Sequence, residues 1–355
     1  MRIQTRRFQV VRRLLVTAGV VTALMVIMLL ATTPVAGQGP TTAGARTNGT
    51  ASKSYTPPRT PDGQPDFQGF WTNGTYTPLQ RPDGVTKEFY TQEEATKIEQ
   101  QAFEFESGEA EPGTVADVHY DRTQFGVDRS VAGYVSNLRT SIIVDPPNGK
   151  LPPLSAEGQK RAAEREAARK GRGLWDSAQT APMGARCMIL ERSGPPMLTG
   201  NYNNGYQFVQ SPGYVTILVE MLHNARIIPL DARSPLSQNV RQWTGSSRGR
   251  WEGETLVVET ANFNGKFPIQ GSSDKMRLTE RFTRTGAEMI RYQFTVDDPG
   301  TWTRPWSGEI PMRKSTGPMF EHACHEGNYD LRNLLTTARV LEKKAAEEAA
   351  KKGSR

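Results

Sequence analysis

Two clusters of side chains in this 355-residue chain are of the types that chemistry needs. The first is Glu321-His322-Ala323-Cys324-His325-Glu326, which holds two of the four histidines and one of the two cysteines. On an extended strand His322 and Cys324 would share a face, with His325 and Glu326 at the exit into Gly327-Asn328. Imidazole beside thiolate suits zinc or another soft metal. The spacing, however, contains neither C-x-x-C nor H-E-x-x-H. An even pair of cysteines in a chain that begins with an export signal points instead to a Cys187–Cys324 disulfide, which would leave no thiolate. No metal and no cofactor are expected.

The second cluster is Glu220 and His223, with Arg226 and Asp231 following on the same segment. A hydrolase or isomerase working by acid and base needs an imidazole and a carboxylate within reach of one substrate. Three residues apart on a strand, Glu220 and His223 would face opposite sides, so they act together only if the strand breaks between them. The catalytic candidates are therefore Glu220, His223, His325 and Glu326. No G-x-S-x-G elbow, phosphate loop or nucleotide fingerprint is present.

A third group concerns binding. Glu280 shares parity with Met276, Leu278 and Phe282 and should point toward whatever they bury. A carboxylate there has its pKa raised by desolvation unless a cation or donor meets it. Either it forms an internal ion pair with an arginine such as Arg226 or Arg291, or the parity breaks near the strand centre, or it is a polar anchor in a ligand cavity. Arg226, Tyr292 and the tryptophans Trp251, Trp302 and Trp306 are the other candidate lining residues, the tryptophans as a stacking surface or as packing.

These residues need a sheet to position them. In Met289 to Asp297, Ile290, Tyr292, Phe294 and Val296 alternate with polar residues, the period of a strand with one buried face. Met276 to Thr283 alternates in the same way, and Thr285-Gly286-Ala287 lets the two form a hairpin. Ser141–Val144, Val215–Leu222, Arg226–Leu230, Leu256–Thr260, Gly308–Met312 and Met319–Cys324 bring the total to about eight strands. Val215–Leu222 is apolar on both parities, as if buried on both sides. Helices are expected over Thr91–Phe105, with a Thr91/Glu94 capping box, over Ser155–Lys170, and in the charged tail Thr336–Lys352. The class is α+β, with an antiparallel sheet closed into a barrel or folded as a sandwich.

The ends of the chain speak to address. Five arginines precede an apolar run from Leu14 to Leu30 and the small-residue stretch Val35-Ala36-Gly37, the pattern of a secretory signal cleaved after Gly37. An uncleaved membrane anchor is the rival reading, and Arg12-Arg13 has a twin-arginine look. Residues 38–66 read as a disordered linker, 67–335 as one domain and 336–355 as a helical tail. The net charge is +7; five of those charges lie before residue 38, leaving 7 − 5 = +2. A nucleic-acid partner, which needs a clustered basic face, is not expected. Contact with a membrane is expected only through the N-terminal segment.

Arg139–Gly149 (RTSIIVDPPNG), Pro152–Gln159 (PPLSAEGQ), Arg226–Asp231 (RIIPLD), Gly249–Thr260 (GRWEGETLVVET) and Cys324–Tyr329 (CHEGNY) together resemble a large family of exported bacterial proteins of unknown function. The likeness covers most of the chain from about Pro57 to Ala338 and implies no particular activity. His322 departs from the pattern, where an aromatic residue is usual. Gly69-Phe70-Trp71 also resembles the Gly-x-Trp of the lipocalins, which implies a barrel holding a small apolar ligand, although helices and irregular segments separate it here from most of the strands. The expectation is an envelope protein that binds a small, partly apolar molecule in a barrel cavity. The alternatives are a His/Glu acid-base enzyme and an envelope protein–protein interaction module.

Overall fold

The computed structural model describes residues 55–107, 137–190, 192–200, 202–231 and 236–353. The expected signal, with its apolar run from Leu14 to Leu30, and the expected linker before residue 55 lie outside the described residues. Lys53–Arg355 forms one unit. Among the described residues no helix is long and apolar enough to cross a membrane.

The fold is α+β, built on an antiparallel, barrel-like sheet. Its strands are β1 (Gly69–Thr72), β2 (Ile143–Asp145), β3 (Gly205–Ser211), β4 (Tyr214–Val219), β5 (Asn224–Pro229), β6 (Ser246–Glu252), β7 (Thr255–Ala261), β8 (Arg277–Gly286), β9 (Met289–Asp297) and β10 (Trp306–Ser315). The wall runs β5-β4-β3-β1-β10-β9-β8-β7-β6, and β2 pairs with β10 off this path. Apart from β2, each strand pairs with its neighbour in the chain, and β1 closes onto β10.

Nine strands that alternate in direction cannot all be antiparallel around a ring, so β5 and β6, at the two ends of the path, run the same way. They form a seam joined by side chains. Arg226 on β5 donates to Ser247 on β6 at 3.3 Å, and the Ser247 hydroxyl meets that of Thr260 on β7 at 2.9 Å. The barrel is thus nearly closed.

Helix α1 (Gln92–Ser107) opens on a reciprocal capping box: the Glu94 amide donates to the Thr91 hydroxyl at 3.2 Å and the Thr91 amide to the Glu94 carboxylate at 2.8 Å. Ser155 caps α2 (Ala156–Arg169) by accepting from the Gly158 amide at 3.1 Å. Helix α3 begins at Tyr329 and runs to Gly353, outside the wall. Within the expected linker, residues 55–66 pack on the barrel: Arg59 and Pro65 form a bridge, and the Asp66 carbonyl accepts from Arg284 at 2.8 Å.

Inward positions follow the period of two. Leu278, Glu280 and Phe282 on β8, and Ile290, Tyr292, Phe294 and Val296 on β9, are all buried, while the residues between them are partly or fully exposed. The interior is filled by rings. Phe208 and Phe282 lie 5.6 Å apart between centroids, Phe282 and Tyr292 4.9 Å, Tyr292 and Phe294 5.6 Å, and Phe294 and Trp306 5.6 Å. Aliphatic side chains such as Ile217, Leu256 and Ile310 pack with these rings in one core, and burial contributes roughly 1.5–3 kcal/mol per large apolar side chain.

One expected strand is absent. Met319–Cys324 is not in the sheet: the chain leaves β10 at Ser315, and Phe320 is 77% exposed. Pro318 has no N–H for a ladder, and the segment is held by its disulfide instead.

Candidate functional site

One end of the barrel collects the turns after β1, β4 and β7 and those before β3, β6 and β8. The buried segment Ser193–Leu198 enters this mouth as a plug. The Met197 amide donates to the Tyr292 hydroxyl at 2.9 Å, and the Met197 carbonyl accepts from Asn73 at 2.7 Å. The Asn224 side-chain amide holds the Ser193 carbonyl at 2.8 Å.

Beside the plug lies a cleft of about 550 Å³. Among its lining residues are His223, His325, Trp243, Arg241, Leu222 and Met188. His223 arrives there because β4 ends at Val219 and a short 3-10 turn, Met221–His223, reverses the chain before β5. In that turn Leu222 has φ 58° and His223 φ 39°, the left-handed region that side chains with a Cβ avoid. Cys187, also in the lining, has φ 54°. Three such residues around one cleft fit the tendency of backbone strain to gather where a site is being shaped.

His325 reaches the cleft from far along the chain. The Cys187–Cys324 disulfide, closing a separation of 137 residues, ties the segment after β10 to the loop before the plug. Asn328 adds a hydrogen bond to the Ala185 carbonyl at 3.0 Å. The disulfide is compatible with an oxidising, exported location.

The electrostatics favour donors and a ring face over a free charge. Arg241 is already paired with Asp274 at 2.8 Å and donates to the carbonyls of Phe263 and Asp274. Trp243 is 38% exposed, with Lys266 5.9 Å from its ring centroid. His322 sits close enough to His223 and Arg192 for their charge to push its pKa down, although burial is the larger cause. Among the described lining residues there is no carboxylate.

The strand does break between Glu220 and His223, yet they do not meet over the cleft. Glu220 turns back to accept from the Gly205 amide at 2.9 Å, at the start of β3. Glu326 is exposed beside His325 and is not among the described lining residues. No group of three His, Cys, Asp or Glu among the described residues is placed to hold a metal ion.

Glu280, Arg226 and Tyr292 lie in the filled interior. Arg226 grips Glu280 at two points, 3.2 Å and 2.5 Å, and Tyr292 donates to Glu280 at 2.8 Å. Burial, and then the neighbouring Glu280 charge, push the Tyr292 hydroxyl well above its ordinary pKa, so it stays a donor. Trp302 and Trp306 are buried edge to face at 5.7 Å, and Trp251 packs on Phe67 at 5.7 Å.

Trp243, Arg241 and the plug were not among the candidates from sequence. Ser193-Gly194-Pro195-Pro196 was a legible turn signal, and its closeness to Cys187 in the chain could have suggested a loop held near the disulfide. Comparison with protein-family models, curated proteins and solved structures finds no match to this chain.

Proposed function

We propose that the protein is an exported binding protein that holds a small, planar, partly apolar molecule in the histidine cleft at the barrel mouth. The observation that carries this reading is that His223, from the turn between β4 and β5, and His325, from the segment after β10, line one cleft together with the half-open face of Trp243. Two imidazoles supply directional donors and acceptors, and the indole supplies a stacking face. Because the barrel interior is occupied by its own rings, the reading favours the mouth over a cavity inside the wall. The signal-like leader and the disulfide support export, with the ligand met in the cell envelope.

Binding is favoured over acid-base turnover because the described lining offers imidazoles without the carboxylate that would orient one of them as a base. The test is mass spectrometry of small molecules released from protein purified gently from the exported fraction, followed by titration of the released compound. His223→Ala and Trp243→Ala are expected each to weaken binding about tenfold, in line with the 1.4 kcal/mol that separates decades of affinity. A protein that leaves the envelope empty, and that no compound in a small-molecule panel stabilises, overturns the reading. Chemical conversion of the bound compound that is lost in His223→Ala would replace it with the enzymatic alternative.

A further inference from the structure

A second cleft, of about 570 Å³, is lined by Leu198 at the end of the plug and, among the described residues, by no histidine. Its floor is apolar, with Leu79, Ile142, Leu190 and Leu198, and its rim carries Thr77, Thr199 and the guanidinium of Arg192. Arg192 is partly buried. It lies over the ring of Tyr202, whose centroid is 4.9 Å from the guanidinium carbon, its charge also acts on His322, and among the described residues it has no carboxylate partner and no hydrogen bond. An arginine fork that has left part of its water and meets no anion among the described residues can receive one, because its planar donors match a carboxylate at two points.

Its position is also fixed in advance. Arg192 lies across Gly200, so closely that a Cβ on Gly200 would fall within the guanidinium. Glycine at 200 is what lets the side chain lie flat along the rim, and Tyr202 holds it from the ring side. Such preorganisation reduces the ordering cost of binding. Around it the described lining adds hydroxyls and aliphatic carbons, and no acid.

We infer that this second cleft binds a small organic carboxylate with an apolar tail, the carboxylate on Arg192 and the tail on the Leu79, Ile142, Leu190 and Leu198 floor. The partner is a free monomeric carboxylate. The charge selects the head, and the floor selects a chain of aliphatic or aromatic carbon. The cleft is separate from the histidine cleft and does not depend on its ligand.

The experiment is calorimetric titration of the signal-free, disulfide-intact protein with decanoate, held below its micellar concentration, beside decan-1-ol and decyltrimethylammonium. The expected result is one decanoate per chain, bound at least tenfold more tightly than the alcohol, and the cation bound no better than the alcohol. Arg192→Gln and Gly200→Ala, the second displacing the guanidinium without removing it, are each expected to weaken decanoate at least tenfold and to leave the alcohol and the melting temperature unchanged. Arg250→Gln, a surface arginine on β6, serves as the charge control. Decanoate that does not bind, or binds no better than decan-1-ol, overturns the inference from the wild-type protein alone. Decanoate affinity that falls in His223→Ala and not in Arg192→Gln overturns it too, by assigning the anion to the other cleft.

Discussion

Arg226 on β5 and Glu280 on β8 meet across the barrel interior as a two-point ion pair, although β6 and β7 stand between them in the wall. The pair spans the seam where the backbone makes no ladder. Its charges are 3% and 0% exposed, so the lost solvation is replaced by the partner charge, by the Tyr292 hydroxyl on Glu280 and by the Ser247 hydroxyl on Arg226. The Ser247 and Thr260 hydroxyls extend the same polar line along β6 and β7. The carboxylate that the strand pattern pointed inward thus serves to fasten the barrel.

Glu280→Gln is expected to destabilise the fold by about 3–5 kcal/mol, the usual loss when one member of a buried pair is removed and the other remains charged. The paired substitution Arg226→Met with Glu280→Leu should recover much of that loss, because it removes both charges. Urea unfolding of the three proteins measures this. A Glu280→Gln variant as stable as the parent would show that the pair does not fasten the seam.

Tyr292→Phe removes one oxygen that serves two partners, the Met197 amide and the Glu280 carboxylate. Leaving a buried donor unsatisfied costs about 1–3 kcal/mol. The midpoint of urea unfolding should fall with an unchanged slope. Amide exchange at Met197 should also quicken, since the plug loses its tie to the interior.

His322 makes stability depend on pH in a definite direction. Burial, then the charges of His223 and Arg192, lower its pKa below the ordinary 6.5, so the folded protein takes up the proton less readily than the unfolded chain. The stabilisation is therefore fully present above pH 6.5, is lost as pH falls from there through the lower folded-state value, and then levels off. Melting temperatures read from pH 8 to pH 5 should decline over that window, and His322→Gln should remove this part of the decline. A profile identical in the variant would assign the dependence to other groups.

Reduction of Cys187–Cys324 should act on stability and on the histidine cleft together. The chain-entropy model gives about 5 kcal/mol as an upper figure for a loop this long. Cys187→Ser with Cys324→Ser should lower the melting temperature and weaken any ligand of the histidine cleft more than it weakens a ligand held by Arg192. Equal loss at both clefts would mean that the disulfide supports the mouth as a whole.

Much of the wall could be read from the chain because its alternation is strict where one face is buried. Met276 to Thr283 and Met289 to Asp297 became β8 and β9 with the expected parity, and Thr91, Glu94 and Ser155 made their caps. Strand β4 was expected to be buried on both sides. Its Thr216 and Leu218 are instead only half covered, since a barrel wall has a single inner face. Strand β1 carries only the Gly69-Phe70-Trp71 signal, β3 has just two buried alternating residues, Tyr206 and Phe208, and β6 is too polar to show a buried face. The cleft was less legible still. His223 and His325 were visible as chemical types, but their convergence depends on a left-handed turn and a disulfide, and Trp243 sits in a connection with no periodicity to announce its role.

The seam bears on how the protein behaves in company. Gly249 in the middle of β6 faces Ile228 and Leu230 of the β5 side, whose methyl groups lie 2.9 Å and 2.7 Å from where a Cβ would stand. The backbone makes no ladder at this seam, so the edges of β5 and β6 are covered there by side chains alone, and a Cβ at 249 would push those of Ile228 and Leu230 aside. Such edges recruit strands from other molecules. Gly249→Val is expected to loosen that cover, and concentration-dependent association measured by light scattering would show it.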